Sequence, residues 1–336
     1  MDADLGTDNE AAGAESQVII FSSPKPRQAN TEAVQISAFR SWRRIFPNAR
    51  ILLFGDGMTW ESLAREEGLE LAGPLTVGEE GREVIRFLFE KTSQLAGDGL
   101  AMFLNSDILL DPSAHATAVS LENLPGPWLA SARRCCLSQW VGPALAKENV
   151  WKEFYKRARE TGVWGEACAM DMFLFRGLSF EAMPPFLIGH RGWDNWMIYH
   201  ARSQNISVID VSAAMRIIHC DHDYSYAAGN RNFKQRPQDR ENVNLHLIGG
   251  EAKLFHLGHA THELRSGTLS PRAGWALMQR NMEFWCITHP EHVWWVRILR
   301  RILHPVIKKL EKSTTQHEDW RRNEPDMNRS QSMTLS

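Results

Sequence analysis

Asn105-Ser106-Asp107 follows five apolar residues, Leu100 to Leu104, without a break. Such a run reads as a strand buried on both faces, in a sheet covered by helices on both sides. A carboxylate just past its end sits where open α/β sheets bind ligands, in the crevice beyond the carboxyl ends of the strands. Asp107 could there hold Mn²⁺ or Mg²⁺ against a diphosphate, since these ions take one or two protein carboxylates plus phosphate oxygens. One carboxylate is a thin site. His219 and His222, in H-x-x-H spacing with Asp221 and Asp223 interleaved, have the right chemistry to complete it. The competing reading has Asp107 capping a turn and the histidines bonded to backbone.

Gly192-Trp193-Asp194-Asn195-Trp196 offers a different chemistry. A carboxylate between two indoles suits a sugar acceptor, with stacking faces and a general base for a hydroxyl. Against that stands the plainer reading, two core tryptophans and an N-capping aspartate. Arg86, Arg133 and Arg134 are candidates to pair with phosphates. His256, His259 and His262 recur every three residues, a spacing that in an extended segment does not converge on a metal.

These residues need elements to place them. Residues 18–21 read as a first strand, ending in the Ser22-Ser23-Pro24-Lys25-Pro26 loop. Asn30 or Thr31 can cap a helix to about Arg44, with Ala33, Ile36, Phe39 and Trp42 at helical spacing. A strand over 49–54, a helix over 59–67, a weak strand over 69–71 and a helix opened by 78–81 lead to the strand that carries Asp107. Strands alternating with helices mean a parallel sheet. Further strands are expected over 128–132, 169–175 and 207–211, and the apolar stretch 215–218 leads into His219. Helices are expected over 150–161, 194–203 and from Trp275 on. No Gly-x-Gly-x-x-Gly follows the first strand and no Gly-Lys-Ser/Thr loop occurs, which argues against a dinucleotide dehydrogenase and a P-loop enzyme.

The chain has 336 residues, 43% of them hydrophobic, enough for one large domain with appendages. A formal net charge of −2 gives no general pull toward nucleic acid. Five cysteines without CxxC spacing indicate reduced thiols and a cytoplasmic setting. Residues 1–16 form an acidic tail expected to be disordered, 17–268 the main domain, 269–312 a C-terminal helical segment and 313–336 a polar tail. Within the third of these, 294–310 mixes Trp295, Ile298, Leu299, Ile302, Val306 and Leu310 with Arg297, Arg300, Arg301, Lys308 and Lys309. It reads as an amphipathic helix kinked at Pro305, either packed on the domain or in peripheral contact with the inner face of a membrane.

Seven landmarks in one order carry a resemblance: Phe21-Ser-Ser-Pro24, Leu53-Phe-Gly-Asp56, Asn105-Ser-Asp107, Ala169-Met-Asp171, Pro184 to Gly189 with Gly192 to Trp196, His219 to Tyr224, and Ala260-Thr-His262. In that order they resemble the GT-A-fold glycosyltransferases, the nucleotide-diphospho-sugar transferase superfamily, and within it a plant and microbial subgroup. The resemblance implies an α/β three-layer sandwich with a mostly parallel central sheet. It implies a nucleotide-sugar donor, a glycan, lipid or small-molecule acceptor, and a divalent metal. Asn105-Ser106-Asp107 then occupies the D-x-D position, with Asn105 in place of the first acid. Asp194 faces the acceptor, His219 or His222 completes the metal site, and Phe21, Ser22 and Asp56 lie where base and ribose bind. Arg86 and Arg134 neutralise phosphate. Cys135-Cys136 follow the arginine pair where that subgroup has Trp-Asp. The rival readings are a non-catalytic nucleotide-sugar binding protein and a nucleotidyltransferase, whose glycine-rich first loop Pro24-Lys25-Pro26 does not match.

Overall fold

Alternating short apolar segments and amphipathic ones set the architecture of the computed structural model, which describes residues 18–25, 29–55, 57–74, 84–138, 147–220, 238–289 and 294. The first third contains β1 (Ile19–Ser22), α1 (Ala29–Ile45), β2 (Arg50–Leu53), α2 (Gly57–Glu67), β3 (Glu70–Leu71), α3 (Arg86–Ala96) and β4 (Ala101–Leu104). Then come β5 (Ile108–Leu110), α4 (Ser113–Glu122), β6 (Trp128–Leu137), α5 (Glu148–Thr161), β7 (Val163–Trp164) and β8 (Met170–Arg176). The last third contains α6 (Trp193–Ser203), β9 (Ser207–Asp210), β10 (Ile217–Cys220), α7 (Gln238–Ile248), β11 (His262–Arg265), β12 (Thr268–Pro271) and α8 (Trp275–Thr288).

The strands lie in the order β12-β11-β9-β6-β8-β4-β1-β2-β3. β3, β2, β1 and β4 are parallel neighbours, as the alternation of the first third predicts. β8 inserts antiparallel between β4 and β6, and parallel pairing resumes through β9 and β11. The sheet is mixed and mostly parallel, and helices cover both faces. Side chains alternate across it, as a period of two requires. Ile20, Ile51, Leu53, Met102 and Leu104 face the core under α1, α2, α4 and α5. Phe21, Leu52, Phe103, Phe173 and Phe175 face the opposite core, which α3, α6 and α7 close. α1 shows how a helix meets such a face. Gln35, Ala38, Phe39 and Trp42 are buried at helical spacing, and the Trp42 indole donates to Ile108 O at 2.7 Å.

Several expectations change. α1 begins at Ala29, so neither Asn30 nor Thr31 caps it. β4 ends at Leu104, and Asn105, Ser106 and Asp107 form a turn closed by Ile108 N–H to Asn105 O at 3.0 Å, which leads into β5, a strand not expected from the sequence. β6 runs five residues beyond 132, to Leu137, with a bulge between Ser131 and Arg133. Arg133 still pairs with Met170 of β8, and from Arg134 on β6 pairs with β10, which in turn pairs with β5. α4, α7 and the β11–β12 hairpin were not legible in the sequence pattern. Most of the 294–310 segment, including the amphipathic helix expected there, lies outside the described residues; Trp294 is exposed. Among the described residues no helix is long and apolar enough to cross a membrane.

Trp42→Phe keeps a ring in the core but orphans the Ile108 carbonyl beside the Asp107 turn. Urea unfolding should show a loss of about 1–3 kcal/mol.

Candidate functional site

β1 and β4 end side by side, and the Ser22 hydroxyl donates to Leu104 O at 2.6 Å across the two ends. The chain then turns through Asn105-Ser106-Asp107 and enters β5. Antiparallel pairing sets Ile108 opposite His219 on β10, and parallel pairing sets the same His219 opposite Cys136 on β6. This double register brings the Asp107 and His219 side chains together, with Asp107 Oδ2 3.6 Å from His219 Nε2. The residues are only 4% and 2% exposed. Lys25, from the loop after β1, places its ammonium on the same Asp107 oxygen.

A buried carboxylate needs such partners, because an ion taken out of water without a counter-charge costs several kcal/mol. Burial alone would lower the His219 pKa. Hydrogen bonds to Asp107 and Cys136 and the charge of Asp107 outweigh it and raise His219 to about 9. The same contact lowers the Cys136 thiol, whose hydrogen bond to His219 outweighs its burial.

β8 contributes the next member. Its pairing with β4 puts Asp171 beside Asn105, and Asp171 O accepts the Asn105 N–H at 3.0 Å. The Asp171 carboxylate accepts from Asn105 Nδ2 at 2.6 Å through one oxygen and from Arg134 Nη1 at 3.1 Å through the other. Asn105, which the resemblance would put in the first D-x-D position, therefore meets a carboxylate from a neighbouring strand. Ser106 is 2% exposed, and its hydroxyl has no hydrogen-bond partner among the described residues. A buried polar atom in that condition marks a place where another group can bind.

Asp194 stands in the first turn of α6, whose N-cap is Gly192 in the left-handed region at φ 105°. Its Oδ1 accepts the N–H groups of Gly192 at 3.2 Å and Asn195 at 2.9 Å. Burial raises the carboxyl to about 6, and the Asp171 charge adds to the rise, against the pull of those backbone donors. Asp194 is thus within electrostatic range of the Asp171 cluster.

The structure brings together Asp107, His219, Asn105, Ser106, Arg134 and, through Asp171, Asp194. It places the other expected residues as follows. Phe21 is fully buried, edge-on to Phe54, Phe89, Phe103 and Phe175, so its ring is core and cannot stack on a base. Ser22 is buried and its hydroxyl serves the β1–β4 junction. Arg86 pairs with Glu90 one turn along α3 at 2.6 Å, with its side chain 40% exposed. The tryptophans flanking Asp194 are core as well. Trp193 packs on Phe89, Phe103 and Phe173, and Trp196 stacks on His200 at 4.3 Å. Arg133 is buried over the Trp164 ring. His256 and His259 meet in the 3₁₀ turn Leu257–His259, where burial holds them neutral by lowering them to about 4 and about 3. Asp56 and His222 lie outside the described residues.

Lys25, Cys136 and Asp171 had no role assigned from sequence. A signal for Lys25 existed: neighbouring parallel strands bring their carboxyl-end loops together, so the loop after β1 must meet the turn after β4.

The expected divalent cation is poorly served by these residues. Asp107 offers one carboxylate whose Oδ2 already carries Lys25 and faces His219. The amide of Asn105 is turned to Asp171. Among the described residues no group of three or more His, Cys, Asp and Glu side chains could hold a metal ion.

No protein-family model matches the chain and no curated protein matches its sequence. Among solved structures it is similar to a candidate nucleotide-diphospho-sugar transferase from Desulfovibrio desulfuricans, at 13% identity and TM-score 0.38, over 70% of this chain and 97% of that one. It is similar to the glycosyltransferase GlyE of Streptococcus pneumoniae, at 16% identity and TM-score 0.27, over 48% of this chain and 34% of that one. A third is the inositol-1-phosphate CTP transferase of T. maritima, at 10% identity and TM-score 0.32, over 62% and 86%.

Asp194 gives a pH test. Its folded pKa is raised, so its contribution to stability is full below the unfolded value near 3.8 and is lost as pH rises through about 6. Asp194→Asn keeps the acceptor oxygen and removes the charge. It should stabilise the fold by on the order of 2–3 kcal/mol at pH 8, by roughly half of that at pH 5 and hardly at all below about pH 3.5, in urea unfolding across that range.

Proposed function

We propose that this chain is a glycosyltransferase of the GT-A-fold nucleotide-diphospho-sugar superfamily, moving a sugar from a nucleotide-diphosphate donor to an acceptor hydroxyl. One observation carries the reading. A single cluster at the carboxyl edge of a mostly parallel sheet joins a polar turn, fixed cations and a carboxyl that titrates separately. The turn is Asn105-Ser106-Asp107, with its orphan Ser106 hydroxyl. The cations are Lys25, Arg134 and His219. The separate carboxyl is Asp194, near pH 6.

In this reading the donor diphosphate lies over the turn. Arg134, oriented by Asp171, meets phosphate oxygens as charge develops on the leaving group. Ser106 supplies a hydroxyl toward the same ligand. Asp194 accepts the proton of the attacking acceptor hydroxyl, which needs its ionised form. A base with a pKa near 6 is ionised at neutral pH and still basic enough to draw a proton. Trp193 and Trp196 set the backbone that holds Asp194 and do not touch the sugar.

The test is a panel of nucleotide-sugars, followed by thermal shift and by donor hydrolysis or transfer. Donor binding should raise the melting temperature by mass action. Asp194→Ala should lower turnover by about 10²–10⁴-fold and leave nucleoside diphosphate affinity within about twofold. Wild-type turnover should rise with pH through about 6. A donor that binds without being transferred or hydrolysed would instead identify a binding module.

A further inference from the structure

The loop after β1 is built to deliver one side chain. Gln35 is fully buried in α1, and its amide clamps the Lys25 backbone from both sides. Gln35 Oε1 accepts the Lys25 N–H at 2.8 Å, and Gln35 Nε2 donates to Lys25 O at 3.3 Å. A buried amide spent on one loop residue fixes where that residue's side chain starts. From there the Lys25 side chain, 26% exposed, reaches the 6% exposed side chain of Asp107. The ammonium thus sits on the carboxylate oxygen that a D-x-D metal would take, beside His219 and past the carboxyl ends of β1 and β4.

We propose that Lys25 is the cation that meets the donor diphosphate, standing where a divalent metal would otherwise bridge Asp107 and the phosphates. This rests on the function proposed above. Three features favour it over a metal. The Asp107 oxygen is already held by a positive charge of the protein itself. The other D-x-D position is an amide turned toward Asp171 and not a second acid. The lysine backbone is anchored by a buried group and not left to a surface loop. An ammonium has three donors, so it can hold a carboxylate and phosphate oxygens together, as a compact point charge. Asp107 then serves as the anchor of Lys25 and does not itself bind a cation from solution.

Isothermal calorimetry of the full chain with UDP, GDP, CDP, ADP and dTDP tests this, in EDTA and in Mn²⁺. The expected result is binding in EDTA by at least one of them, strengthened less than threefold by Mn²⁺. Lys25→Met, which keeps the apolar stem, should weaken that binding at least tenfold, and Lys25→Arg should restore part of it. Asp107→Asn should weaken it less than Lys25→Met does. Far-ultraviolet circular dichroism shows whether each variant is folded. If Lys25→Met does not fold, the EDTA comparison on the wild type decides alone. Binding that appears only with Mn²⁺ and vanishes in Asp107→Asn overturns the Lys25 assignment and leaves the glycosyltransferase reading standing. Binding by none of the five under either condition overturns both.

Discussion

A carboxylate stripped of water must be given a counter-charge, and Asp107 is the residue on which that rule acts most strongly here. It is buried at the tip of β4 with the Lys25 ammonium and the His219 imidazole against it. The three come from β1's loop, β4's turn and β10, so one ion cluster pins three separate elements to the same point. If the sheet order differed, the charge would be stranded in the interior. The cluster therefore depends on the pairing of β1 with β4 and of β10 with β5 and β6.

The sheet makes this affordable by being apolar almost everywhere else. Both faces are closed by aromatic and aliphatic side chains, with Phe21 and Phe89 central to one and Phe39 and Trp42 to the other. Polar groups gather at one edge, where strands stop and backbone groups need partners anyway. Asp171 illustrates the economy: one carboxylate satisfies an amide from β4's turn and a guanidinium from β6, and its charge reaches Asp194 at the start of α6. Burial beside that charge pushes the Asp194 carboxyl up to about 6.

Most of the first hundred residues could be read from pattern, because strands buried on both faces are continuous apolar runs and the helices between them have a clear apolar face. The second half resisted. β6 is apolar only as far as Ala132 and continues through Arg133, Arg134 and two cysteines, since its far half belongs to a different pairing. α4, rich in alanine and small polar residues, lacks a marked stripe. The site divides the same way. Asn105, Ser106, Asp107, His219, Arg134 and Asp194 have chemistry that stands out by type and place. Phe21, Trp193 and Trp196 have the type suited to a base or a sugar, but burial decides what an aromatic ring does, and spacing along the chain does not report burial against a distant strand.

By itself the sequence determined the alternating order of elements, the parallel start of the sheet and the position of Asp107 beyond an apolar strand. These follow from local rules: residue period, turn chemistry and the length of apolar runs. Only the tertiary structure decided that β8 runs antiparallel beside β4, that Asp171 stands against Asn105, and that Lys25 reaches Asp107 across 82 positions of chain. Contacts of that range are selected by how whole faces pack and how buried charges find partners, and no short stretch of residues contains that information.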